Sequence, residues 1–219
     1  MGENIIIRRD FSKITGIISA LVIASCLIGL LTGCATLKPV NKKTDDTVQP
    51  KGFYDYSKNE IQDMSWEEVK PLLDTPDKVE DYLLKYTKIR FKEDRGQHLQ
   101  TPQETLDKET GDCEDFANII RDALQFHGYE AGFLSLEFEY KGKIYSHSVG
   151  AFRGKNNGKW CFIEGFSVKN SNLNKGTYGP FDNFDDMAKK IARKLGNSKL
   201  LDYRIDYTEA SFKSFFTEK

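Results

Sequence analysis

The chain has 219 residues, with 32 Lys and Arg against 33 Asp and Glu, for a formal net charge of −1. The two signs are interleaved, so no basic stripe forms and nucleic acid is excluded as an electrostatic partner. Four cysteines are too few for a disulfide-built scaffold, and the fold must rest on a hydrophobic core.

Arg8, Arg9 and Lys13 precede an apolar run from Ile14 to Leu31, which ends in Leu31-Thr32-Gly33-Cys34. A charged head, an apolar stretch and small residues at a cut site describe an export signal. The run also approaches the roughly 20 residues needed to span a bilayer, so an uncleaved anchor is the alternative. An anchor, however, has no use for a cysteine at that position. Leu-Thr-Gly-Cys resembles the lipobox of bacterial lipoproteins, which implies cleavage before Cys34 and lipid attachment to it. Both readings place the rest of the chain on the extracytoplasmic side of the cell membrane. By the same resemblance, Ala35 leans away from inner-membrane retention, toward the outer membrane or a periplasm-facing position in a Gram-negative cell. Residues 1–33 are therefore expected to be a signal peptide. Residues 34–60 are rich in Lys, Asn, Asp, Thr and Pro without apolar period, and read as a lipid-anchored flexible tether. Residues 61–219 are long enough for one folded domain.

Within that domain, Ser65-Trp66-Glu67-Glu68 has the form of a capping box. Thr75-Pro76 and Thr101-Pro102 each place a cap residue before Pro at the first helical position. Val79, Leu83, Leu84 and Ile89 give the first of these helices an apolar side. Gly111-Asp112-Cys113-Glu114-Asp115-Phe116-Ala117 then sets a cysteine at a helix start. Phe116, Ile119, Ile120, Ala123 and Leu124 follow the i, i+3, i+4, i+7, i+8 pattern, and Gly128 closes the helix. The period next changes to two. Leu134, Leu136, Phe138 and Tyr140 alternate with Ser135, Glu137 and Glu139, predicting a strand with one wet face. Lys141-Gly142-Lys143 turns it into a second strand, Ile144 to Phe152. Gly154 to Gly158 turns again into a third, Trp160 to Phe166. Asn183 opens a last helix ending at Leu195-Gly196, and Leu200 to Tyr207 reads as a final strand. Helices, then a strand meander, then a helix predict an α+β fold with helices on one side of an antiparallel sheet.

A helix N-terminus can lower a thiol from its usual pKa of about 8.5, which makes Cys113 a candidate nucleophile for acyl chemistry. Such a cysteine needs a base, and the base an orienting acceptor. Of the three histidines, His98 lies in a polar loop and His127 is explained by its place before Gly128. His147 sits in mid-strand, where a ring needs a partner. Period-two alternation puts Trp160, Phe162 and Glu164 on one face of the third strand and Cys161 and Ile163 on the other. Glu164 is thus an acid among apolar residues, placed to orient His147, while Cys161 reads as core. With Cys26 in the signal and Cys34 under lipid, Cys113 and Cys161 remain as thiols, and one bridge between them is compatible with export. The N–H of Cys113 is a natural oxyanion donor. Asp112, Glu114 and Asp115 suit a first helical turn on dipole grounds alone.

Gly-Asp-Cys-Glu-Asp-Phe-Ala at a helix start, a histidine in a second strand and Trp-x-x-x-acid in a third resemble the transglutaminase-like superfamily of papain-type folds, over roughly Thr75 to Ser167. The resemblance implies a nucleophile helix packed on an antiparallel sheet, with Cys113 as nucleophile, His147 as general base and acid, and Glu164 as orienting acid where the family usually has Asp. It also implies a side-chain oxyanion donor, for which Gln97, Gln100 and Gln103 are the upstream candidates. The acids beside the cysteine resemble those of bacterial transglutaminase-like cysteine proteinases, of which the adhesin-cleaving members depend on calcium near this position. Asp112, Glu114 and Asp115 are therefore candidate calcium ligands, although three acids in four residues do not complete a site. No other cofactor is expected. The function implied is amide acyl transfer by an extracytoplasmic, membrane-anchored cysteine enzyme, with hydrolysis of a peptide or isopeptide bond in a cell-envelope substrate favoured. The alternatives are a transglutaminase joining Gln to amines and a non-catalytic binding lipoprotein.

Overall fold

The computed structural model describes residues 50–93 and 98–209. The expected signal peptide, Cys34, the tether up to residue 49, and Gln97 lie outside the described residues. Among the described residues, no helix is long and apolar enough to cross a membrane.

The first element is a 3-10 turn, Phe53–Asp55, followed by α1 (Lys58–Gln62). Ser57 and Glu60 cap α1 reciprocally, with Ser57 N–H donating to the Glu60 carboxylate at 2.7 Å and Glu60 N–H donating to the Ser57 hydroxyl at 3.3 Å. Phe53 is 1% exposed and its ring lies 4.8 Å from that of Tyr86. The folded part therefore reaches back before the expected boundary at 61. A single buried aromatic anchors a segment that has no period to betray it.

α2 (Trp66–Val69) carries the predicted box between Ser65 and Glu68. α3 (Pro76–Asp81) starts at the Thr75 cap but widens into a π turn over Tyr82–Tyr86, short of Ile89. β1 (Arg90–Phe91) pairs in parallel with β2 (Thr110–Gly111), on either side of α4 (Pro102–Lys108). α5 (Cys113–Phe126) follows directly. Then come β3 (Ala131–Tyr140), β4 (Lys143–Arg153), β5 (Trp160–Glu164), β6 (Gly176–Phe181), α6 (Phe184–Lys194) and β7 (Lys199–Asp206). The sheet order is β6-β5-β4-β3-β7, antiparallel throughout.

Helices cover both faces of this sheet rather than one. Ile119, Ile120 and Phe116 of α5 join Ala131, Phe152 and Ile163 in one core. Met187, Ala188 and Ile191 of α6 join Leu134, Leu136, Val149 and Phe162 in another. β3 is consequently buried on both faces over its first half, Ser135 included, and the expected wet face is confined to its far end. β6 went unanticipated because two glycines and a proline obscure its pattern; an edge strand tolerates them. The α5–sheet approach is tight at one point. An ideal Cβ on Gly150 would fall 2.4 Å from Ile120 Cγ2, so only glycine lets the helix lie this close to β4.

Candidate active site

Cys113 is the first residue of α5, and the turn that presents it is fixed by carboxylates. Asp112 caps the helix, its Oδ1 accepting the N–H of Glu114 at 3.0 Å and of Asp115 at 3.4 Å. Asp115 is buried and accepts from Asp112 N–H at 3.0 Å, from Gln100 N–H at 2.8 Å and from the Gln100 side-chain amide at 2.8 Å. Asn118 extends the tie by donating to the Gln100 carbonyl at 2.8 Å. Two of the three acids proposed for calcium thus serve the backbone and Gln100. Among the described residues, no group of three or more His, Cys, Asp or Glu is placed to hold a metal ion.

His147 sits on β4 opposite Leu136 of β3. Pairing of β4 with β5 spans only Gly150 to Arg153, so β4 runs on past the end of its neighbour. Glu164 closes β5, and its Oε2 lies 2.7 Å from His147 Nε2. The two residues are 5% and 1% exposed. Phe166 N–H donates to the other carboxylate oxygen at 3.4 Å, and the Phe166 ring meets the imidazole edge-on at 5.8 Å. With Nε2 donating to Glu164, Nδ1 is the nitrogen that can accept a proton. The predicted pairing of strand histidine and strand acid is therefore present in the geometry.

The sulfur of Cys113 accepts a hydrogen bond from the backbone N–H of Ser148, next to His147, just beyond the stretch of β4 that β5 covers. Burial pushes the thiol well above its ordinary pKa; Asp112, Glu114 and Glu164 push it the same way, and the Ser148 N–H opposes them. These influences oppose the acidification expected at the helix start. A helix N-terminus contributes about half a positive charge, whereas the adjacent side chains each bring a full negative one. The sequence gives no sign of the Ser148 contact, because backbone donors carry no residue signature.

The remaining candidates fall elsewhere. Cys161 packs against the α5-side core, its thiol raised by burial, and both cysteines are free. His98 is exposed, and His127 Nε2 lies 3.1 Å from the Lys70 carbonyl. Gln103 accepts from Trp66 N–H and donates to Asp107, and Gln100 is committed to Asp115, so neither turns its amide to the cysteine.

Cys113 and His147 line one cleft of about 650 Å³, walled by Phe91, Phe138, Tyr145 and Phe166. A smaller hollow of about 290 Å³ beside α1 and α4 contains none of the site residues. A thiol and an imidazole on one cleft, with a carboxylate buried behind the imidazole, form a set that can move a proton off sulfur, stabilise the resulting imidazolium, and hold an oxyanion at the Cys113 N–H.

The family described as a transglutaminase-like domain matches residues 48–160, which include Cys113 and His147 and stop just before Glu164. Among solved structures, Legionella pneumophila LapG is similar at 13% identity, covering 71% of this chain and 95% of that one, with a TM-score of 0.37. No curated protein matches.

Proposed function

The chain belongs to the transglutaminase-like family, and from that premise we propose a cysteine enzyme acting on amide bonds, with Cys113 as nucleophile, His147 as general base and acid, and Glu164 as orienting acid. The observation that carries this reading is the buried 2.7 Å contact of His147 with Glu164 beside the strand residue that bonds the Cys113 sulfur. Cys113 Sγ attacks the substrate carbonyl as His147 Nδ1 takes its proton, and the oxyanion gathers at the Cys113 N–H. His147 then protonates the leaving amine and a thioester remains. Water, deprotonated by His147, releases the acid and restores the thiol.

Hydrolysis is favoured over cross-linking because transfer to an amine must exclude water, and the half-exposed Phe91 and Tyr145 leave the cleft mouth open. Lipid on Cys34 holds the enzyme on the extracytoplasmic face of the membrane, where its substrate is a peptide or protein of the envelope. This part of the proposal rests on Leu31-Thr32-Gly33-Cys34 alone.

The test is alkylation of residues 35–219 with iodoacetamide across pH, the adduct located by mass spectrometry. Cys113 should label ahead of Cys161 at neutral pH because His147 takes its proton as the sulfur attacks, and His147→Ala should slow that labelling. Equal labelling of both thiols with an ordinary pH profile overturns the enzyme reading in favour of a binding module. Incubation with a glutamine peptide and a small amine separates transfer from hydrolysis. Repeating each assay with calcium and with EGTA tests the metal.

A further inference from the structure

β5 stops at Glu164, so the edge of β4 from Lys143 to His147 pairs with no strand among the described residues. The direction of its backbone groups follows from two bonds. Arg153 N–H donates to the Glu130 carbonyl, on the β3 side, at 2.8 Å. Ser148 N–H donates the other way, to Cys113. Strand alternation then turns the N–H and C=O of Ser146 to the same open side as that of Ser148. Ser146 lines the cleft.

Beside this edge lies an apolar wall on the His147 face of the sheet. Tyr145 is directly opposite Phe138 in the register, their rings stacked at 5.9 Å, and Leu195 adjoins them in the cleft. Tyr145 remains 45% exposed. On the other side, Phe91 stacks on Phe166 at 4.1 Å and remains 46% exposed. Two aromatic pairs therefore flank His147, each with one ring open to solvent. Tyr145 stands two strand positions from His147, about 7 Å along β4, the distance at which a neighbouring substrate side chain lies.

We propose that the open edge of β4 binds the substrate as an added strand through Ser146, and that Phe138, Tyr145 and Leu195 receive an aromatic or large aliphatic side chain next to the reacting carbonyl. Main-chain pairing supplies the alignment and the apolar pocket the selectivity. This deepens the cysteine-enzyme reading and rests on it for the position of the carbonyl.

The experiment uses acetyl-Xaa-Ala chloromethyl ketones, with Xaa Phe, Gly or Asp, and follows second-order alkylation of Cys113. The Phe probe should react at least about tenfold faster than the Gly probe, the range one apolar group gives in a fitted pocket. Tyr145→Ala should bring that ratio toward one, and N-methylation of the probe's Ala amide should slow it about tenfold by removing the pairing N–H. Equal rates for Phe, Gly and Asp overturn the proposal. If no probe labels Cys113, the enzyme reading has failed, and the pocket is decided separately by titrating the Cys113→Ala protein with acetyl-Phe-Ala-amide and acetyl-Gly-Ala-amide. Selective binding of the Phe peptide supports it, and binding of neither overturns it.

Discussion

Gly150→Ala tests whether the close approach of α5 to β4 sets the site. The added Cβ would lie 2.4 Å from Ile120 Cγ2 and 2.5 Å from Ile120 Cβ, against 3.4 Å or more for ordinary contact. No rotamer of Ile120 relieves the second clash, because its Cβ moves only with the helix. α5 must therefore rise by about 1 Å, since the packed interior has no slack to absorb it. Overpacking of this kind costs about 1–3 kcal/mol, which for a domain of this size lowers the melting temperature by roughly 2–4 °C per kcal/mol. The displacement also carries Cys113 away from His147 and Ser148, and a misplacement of about 1 Å can cost on the order of 100-fold in rate. Thermal melts followed by Cys113 alkylation with the Phe chloromethyl ketone, well below the melting point, read both effects. Adding Ile120→Ala should not restore the rate, because the clashing Cβ stays. A variant that melts lower yet alkylates at the full rate, or a rescue by Ile120→Ala, would refute the reasoning.

Glu164→Gln should leave the fold intact but slow the proposed reaction about 10²- to 10⁴-fold, since the neutral amide neither fixes the imidazole tautomer as firmly nor stabilises its charged form; turnover against a melting curve separates the two effects. The Cys113 thiol is raised in the folded chain, so above the ordinary thiol pKa of about 8.5 the unfolded chain gives up its proton first. Stability is therefore full below that pH and falls as pH rises through it. Chemical denaturation at stepped pH should show the fall, and Cys113→Ser should diminish it; an unchanged fall assigns it to other groups. Phe53→Ala should cost about 3–5 kcal/mol, as for other buried phenylalanines, and a fragment starting at residue 61 should be destabilised at least as much in the same urea titration.

What was legible in the sequence was local or period-coded. The α5 start could be read because Asp112, Gly111 and the apolar residues from Phe116 onward act within a few turns of each other. The meeting of His147 and Glu164 could be read because strand period two is rigid. Continuing the register Gly150↔Ile163 by one residue puts Glu164 opposite Val149, and Val149 shares its face with His147. What was not legible depends on elements distant in sequence. Alternation shows that a strand face is apolar but not which helix covers it, so α6 on the second face could not be foreseen. Phe53 joins the core from a segment without periodicity. The surroundings of the thiol are not legible either, because they depend on burial and on Glu164, a residue of another strand.

The length of β5 ties these features together. Gly165 follows Glu164, and an ideal Cβ on it would lie 2.5 Å from Phe116 Cδ1, so the first turn of α5 presses on the chain where the strand ends. β5 pairs with β4 no further than Ile163 opposite Gly150. Continued two residues along, the ladder would occupy the side of β4 on which Ser148 N–H meets the Cys113 sulfur. Ending there instead leaves that donor to the thiol, sets Glu164 against His147 Nε2, and opens the edge proposed for the substrate. The same helix that presents Cys113 therefore stops the strand that would have covered its site. This accounts for an acid at a strand terminus being buried rather than solvated: Phe166, stacked on Phe91 and against Phe116, closes over it.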